Sequence, residues 1–266
     1  MTTQQLDSVE GKLAYDDTGG TGPLVVMLPG AGDVRAEYRF IAPRLAKGGA
    51  RVVTADLRGH GDSSADWPRY GVAESAADLI VLLEHLDAGP ATVVATSFAP
   101  AAALWAAADR PELFVRLVLI SSHLDAAPAW QSATLKLMMR GPFAGKLWAG
   151  QFRKWHPGAP PRDLDEQAAA LTAMMADPHR RRAVRDTLTA HRDGLAERVD
   201  RVDLPTLVVM GGADSHFKDP GSEGRSIADG TGGALRVIPG AGHYPHVEYP
   251  ELVAAAIADF MAATSS

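Results

Sequence analysis

The chain has 266 residues, no cysteine and a formal net charge of −6. Without cysteine there are no disulfides, thiol nucleophiles, thiolate zinc sites or iron–sulfur clusters, and a mildly acidic chain is poorly suited to binding nucleic acid. A hydrophobic fraction of 46% and a charged fraction of 22% fit one globular α/β domain with an insertion, large enough to bury a core without staples.

Met1 to Glu10 is polar and has neither the basic flank nor the apolar stretch of a secretory signal. A hairpin is expected next, around Val9 to Tyr15 with a turn at Gly19-Gly20-Thr21-Gly22. Val25 to Leu28 reads as the first buried strand, stopping at Pro29-Gly30, and Ala36 to Lys47 as a helix. Val52 to Ala55 is a second buried strand, ending at Asp56, followed by a helix over Ala73 to Leu86. Thr92 to Ala95 is a third strand, ending at Thr96-Ser97, and Phe98 to Asp109 is a helix. That helix holds the longest apolar run, which is interrupted by Pro100 and too short to span a membrane. A cytoplasmic protein with no membrane partner is the expectation. Leu117 to Ile120, Thr206 to Met210 and Leu235 to Ile238 complete the buried strands, and Glu251 to Ala262 is the last helix. Short aliphatic runs bounded by Gly, Pro or Asp are the signature of strands covered on both faces. Alternation with helices predicts a mostly parallel central sheet of about eight strands.

Residues 122–200 break this alternation. The stretch has helical spacing, no convincing strand, and three of the five tryptophans, Trp130, Trp148 and Trp155. It carries 12 Lys and Arg against 9 Asp and Glu, so it is net +3 while the rest of the chain is −9. We read residues 1–121 and 201–266 as the core and 122–200 as a helical insertion over the carboxyl edge of the sheet.

Ligands in open parallel sheets sit beyond the carboxyl ends of the strands. Ser97 occupies such an end, in a strand–serine–helix turn with the small residues Ala95 and Ala99 two positions away on each side. An ordinary helix-capping serine would occupy the same place. Asp214 follows the strand at Thr206 to Met210, and His243 follows the last strand. The order serine, acid, histidine at three strand ends is one of the known chain orders of a hydrolytic triad. Asp125, five residues past Ile120, is a rival acid, and His246 a rival base. A metal held by His243 and His246 is disfavoured because Pro245 prevents the helical pairing such sites use. Arg180, Arg181, Arg182 and Arg185 form the strongest basic cluster and read as a solvated helix face.

Over nearly its whole length the chain resembles the α/β-hydrolase superfamily. The similar stretches are Leu28-Pro29-Gly30-Ala31-Gly32, Asp56-Leu57-Arg58-Gly59-His60-Gly61-Asp62-Ser63, Thr96-Ser97-Phe98-Ala99, Gly211-Gly212-Ala213-Asp214 and Gly242-His243-Tyr244-Pro245-His246-Val247-Glu248. The resemblance implies a cofactor-free serine hydrolase with Ser97 as nucleophile, His243 as base, Asp214 as its partner, and the amides of Ala31 and Phe98 as oxyanion donors. It implies that residues 122–200 form a helical cap and that the substrate is a small ester or lactone with an apolar part. The chain departs from the pattern in having alanines for the elbow glycines and Pro29 where a histidine is usual. Other activities on this fold are a perhydrolase, a carbon–carbon bond hydrolase, and a non-catalytic ligand-binding homologue. Thr96 and Tyr244 stand where carbon–carbon hydrolases carry Asn and Trp. The sequence does not define the oligomeric state.

Overall fold

Most of the aliphatic runs pair side by side because they are apolar on both faces; the run Leu235 to Ile238, expected as a buried strand, instead forms the sheet edge and is buried only at Ile238, because Arg236 keeps one face in solvent. The computed structural model describes residues 3–8, 10–125, 129–141 and 143–264. Its strands are β1 (Gln4–Ser8), β2 (Gly11–Asp17), β3 (Leu24–Leu28), β4 (Arg51–Ala55), β5 (Ala91–Thr96), β6 (Phe114–Ile120), β7 (Thr206–Gly211) and β8 (Ala234–Ile238). They form one sheet in the order β1-β2-β4-β3-β5-β6-β7-β8. β1 and β2, and β2 and β4, pair antiparallel; from β4 through β8 the neighbours are parallel.

The two-residue period of a strand sends alternate side chains to opposite faces. Val25 and Met27 pack on one side with Ile41 and Leu45 of α1 (Ile41–Lys47) and with Val253 and Ile257 near the carboxyl end of the chain. Val26 and Leu28 pack on the other with Leu79 and Leu82 of α2 (Val72–Leu86) and Leu104 of α3 (Ala99–Asp109). Two cores therefore sandwich the sheet and fix its register.

The amino-terminal hairpin differs from expectation. Its strands are β1 and β2, and Val9, between them, lies outside the described residues. The glycines at 19 and 20 have positive φ, as a tight turn requires. That turn, however, links β2 to β3, which are not sheet neighbours, because β2 pairs with β4. β1 escapes a pattern search because only Leu6 of its five residues is buried.

The helix expected over Ala36 to Lys47 is also broken. Arg35–Tyr38 is a single 3₁₀ turn, and α1 begins at Ile41. Tyr38 donates to Leu28 O at 2.6 Å, and Glu37 accepts the Gly30 amide at 2.9 Å. These buried bonds hold the turn against the end of β3.

Residues 122–200 contain α4 (Ala129–Met138), α5 (Ala144–Lys154), α6 (Leu164–Met174), α7 (Pro178–Leu188) and α8 (Leu195–Val199), with no strand among the described residues. Trp148, Phe152, Trp155, Leu171 and Met175 make a small core of their own with Tyr244 and Val247. Trp148 Nε1 donates to Gly32 O at 2.9 Å, which ties α5 to the loop after β3. α8 packs against α3, where Leu195 joins the main core. The chain closes with α9 (Pro220–Gly230), the short α10 (Pro245–Glu248) and α11 (Pro250–Ala263). Among the described residues no helix is long and apolar enough to cross a membrane.

Candidate active site

Ser97 sits where β5 turns sharply into α3, with φ of 60°. A serine in this left-handed region costs of order 1–2 kcal/mol, and the surroundings hold it there. Its amide donates to Ile120 O at 2.9 Å, and its carbonyl accepts from His123 N at 3.2 Å. Ala95 and Ala99 are fully buried on either side. Opposite lies Gly30, where a Cβ would come within 3.1 Å of Ser97 Cβ. Small residues on three sides are what the turn requires.

The loops after β7 and β8 bring the other two residues to the same point. His243 Nε2 is 3.0 Å from Ser97 Oγ, and His243 Nδ1 is 2.7 Å from Asp214 Oδ2. Burial alone would raise the Asp214 carboxyl, but His243 and the amide of His216 hold it below its usual range. An ionised carboxylate only accepts, so Nδ1 carries the donated proton and Nε2 is left to accept the serine hydroxyl. The His216 ring stacks on His243 with centroids 5.1 Å apart. Burial, reinforced by His243 and His123, pushes His216 down to about 3, so it adds no charge beside His243. Trp155 covers another part of His243 at 5.2 Å, and its carbonyl accepts the His243 amide at 3.0 Å.

The loop after β3 is pinned on both sides of Ala31. Gly30 N donates to Glu37 Oε2 at 2.9 Å, and Gly32 N donates to His60 Nε2 at 3.0 Å. Among the described residues, the amides of Ala31 and of Phe98 have no protein acceptor, whereas the neighbours Gly30, Gly32 and Ser97 all do. Two open donors therefore flank the serine. Behind the loop, His246 Nε2 lies 2.8 Å from Glu37 Oε1, and both side chains are fully buried. The position usually held by a histidine is Pro29 here; Glu37 and His60 order the loop instead.

His60 belongs to the stretch Asp56 to Ser63. Arg58 donates to both Asp78 oxygens at 2.7 and 2.8 Å and stacks on Trp67. The bond from His60 to the Gly32 loop is not visible in the motif. His60 donates Nδ1–H to Arg58 O at 2.9 Å, which leaves Nε2 as the acceptor. Burial pushes its pKa from 6.5 to about 4. As the pH drops below about 6.5, the unfolded chain gains this proton while the folded protein stays neutral. The stability that neutral His60 supplies is full above that value and is lost progressively toward pH 4, by about 3 kcal/mol. Denaturant unfolding of wild type and His60→Gln should show their difference shrinking by that amount over this range. A difference independent of pH would contradict it.

The rivals fall elsewhere. Asp125 is exposed, and its carbonyl accepts from Arg192 Nε at 3.1 Å. His246 lies under the Gly30 loop, away from Ser97. Arg180 and Arg181 donate to the carbonyls of Ser63 and Met175, while Arg182 and Arg185 pair with Asp186. Tyr244 is buried, stacked on His156 with centroids 4.8 Å apart. Glu248 closes the site from behind. It accepts Gly242 N at 2.6 Å through one oxygen and Gly158 N and Ala159 N at 2.7 and 3.0 Å through the other. Trp148 and Trp155 are core residues, whereas Trp130 and Met138 line a cavity of about 560 Å³ that opens onto Ser97.

Residues 25–256 match the model of a family described as the alpha/beta hydrolase family. A putative esterase/lipase of Haemophilus influenzae is 27% identical over 79% of this chain and 73% of its own. The magnesium-chelatase 30 kDa subunit of Rhodobacter capsulatus is 39% identical over 36% of this chain, a match that spans only 34% of that subunit. The crystal structure of a hydrolase from Pseudomonas aeruginosa superposes with a TM-score of 0.80 and 26% identity, covering 97% of this chain and 98% of that one. With a family match running from β3 into α11 and the sheet order described above, the chain belongs to the alpha/beta hydrolase family.

Proposed function

We propose that this protein is a serine hydrolase that cleaves a small carboxylic ester or lactone through an acyl-enzyme on Ser97. The observation that carries the reading is the unbroken hydrogen-bonded line from Ser97 Oγ through His243 to the Asp214 carboxylate. In the first half-reaction Ser97 Oγ attacks the substrate carbonyl carbon, and its proton passes to His243 Nε2. The oxyanion that forms accepts from the amides of Ala31 and Phe98, each worth about 10²–10³ in rate. Asp214 stabilises the imidazolium. Collapse breaks the carbon–oxygen bond of the ester, and the leaving alcohol takes the proton from His243. Water then repeats the sequence on the acyl-enzyme and releases the acid. Helices α4 to α7 serve as a cap that keeps bulk water from the acyl-enzyme and supplies the apolar wall of the cavity. No bound cofactor is required by any step.

Treatment with a small fluorophosphonate followed by intact-mass analysis tests the reading directly. Wild type should gain one adduct, mapped to Ser97, and Ser97→Ala and His243→Ala should gain none. Folded wild type that stays unlabelled would instead favour a ligand-binding homologue.

A further inference from the structure

The cavity that opens onto Ser97 has on its wall a cation that is only partly engaged among the described residues. Arg192 lies on its wall with its Cζ 5.5 Å from the centre of the Phe98 ring, and Phe98 directly follows Ser97. Its Nε is bound to Asp125 O, but its Nη1 is buried and has no partner among the described residues. Asp125 makes no ion pair with it, again among those residues, although its charge raises the guanidinium pKa. Next to it His123 Nδ1 is likewise buried and without a partner among the described residues. A buried donor left unmade is costly, so two of them at one cavity point to something that fills them.

The rest of the wall gives the chemistry. Lys136 adds a second positive charge, and no Asp or Glu lines the cavity among the described residues. The remainder is largely apolar, with Phe98, Trp130, Leu135, Met138 and Leu188. Against a chain that is −6 overall, a cavity lined by two cations and no carboxylate among the described residues is a local reversal. Burial pulls Arg192 down to about 10, which leaves it charged at neutral pH. Burial, then the Arg192 charge, pushes His123 down to about 4, so His123 is neutral there and able to donate one proton.

We propose that Arg192 recognises an anionic group, a carboxylate at the far end of an apolar substrate, with His123 Nδ1 as a second donor. This narrows the ester of the previous subsection to one bearing a free carboxylate, and rests on that reading. The guanidinium fork suits a carboxylate in two-point contact, which a lysine matches poorly.

The test uses binding, so that it does not depend on turnover. Calorimetric Kd values are measured for 4-phenylbutyrate and for 4-phenylbutanamide, its uncharged isostere, on wild type, Arg192→Met and Arg192→Lys. The expected result is that wild type prefers the carboxylate by about 10- to 100-fold. Arg192→Met should abolish the preference, and Arg192→Lys should retain a part of it that fades with added salt. Thermal melting confirms that each variant is folded. Equal binding of acid and amide by wild type would overturn the proposal, as would a preference that survives Arg192→Met. Failure of fluorophosphonate to label Ser97 would remove the hydrolase reading instead, and the two failures are read in separate experiments.

Discussion

Asp214→Asn should lower ester turnover by about 10⁴-fold in protein that remains folded. Asparagine keeps the shape of the side chain, so the core around β7 is not disturbed. What changes is the direction of one hydrogen bond. The Asp214 carboxylate accepts from His243 Nδ1 at 2.7 Å and thereby places the imidazole proton on that nitrogen. An asparagine amide can donate to Nδ1 instead. The proton then moves to Nε2, and the nitrogen 3.0 Å from Ser97 Oγ can no longer accept. Loss of the correct tautomer in this way costs about 10⁴ in other triads. Steady-state kinetics on a 4-nitrophenyl ester, with circular dichroism to establish folding, measures it. Loss of less than about tenfold would show that His243 is not the base or that another group orients it.

Gly211→Ala should cost more stability than any ordinary core change, above about 4 kcal/mol. A Cβ there would lie far inside 3.0 Å of the backbone oxygens of Gly242 and Ala241. Neither oxygen belongs to a flexible side chain that could swing aside. The same two segments are joined by Ala213 N donating to Ala241 O and Gly212 N donating to Ile238 O, each at 2.8 Å. Relief of the collision would separate the end of β7 from the turn before His243, and with it Asp214 from its partner. Gly150→Ala is the control. Gly150 lies within α5 with open space around its missing Cβ, so alanine should stabilise that helix by about 0.5–1 kcal/mol. Chemical denaturation of the pair gives both numbers. A Gly211→Ala protein within 1 kcal/mol of wild type would mean that the two loops can yield.

The parallel sheet is legible because a strand buried on both faces is written as an uninterrupted aliphatic run. The positions of Ser97, Asp214 and His243 are legible for a related reason, since each lies just past such a run. β1 is not, because an edge strand with one buried residue has no pattern to find. The broken helix at Arg35–Tyr38 is hidden because its cause is distant: Tyr38 reaches Leu28 and Thr96, and Glu37 reaches Gly30. The same holds for His60, Trp155, Glu248 and Arg192. Each is chemically ordinary in its local sequence and acquires meaning from a partner on another element. The spacing His60 to Gly32 or Glu248 to Gly158 obeys no helical or strand period.

Trp155 has an implication for how such a protein can change over time. Its carbonyl carries the His243 amide, its ring covers the imidazole, and three residues later Glu248 holds the backbone of Gly158. A change of length between α5 and α6 would therefore displace His243 itself. α4, by contrast, presents Trp130, Leu137 and Met138 to solvent and to the cavity mouth. Side chains along α4 can change without moving His243, whereas the linker after α5 is tied to His243 and diverges only by shifting it.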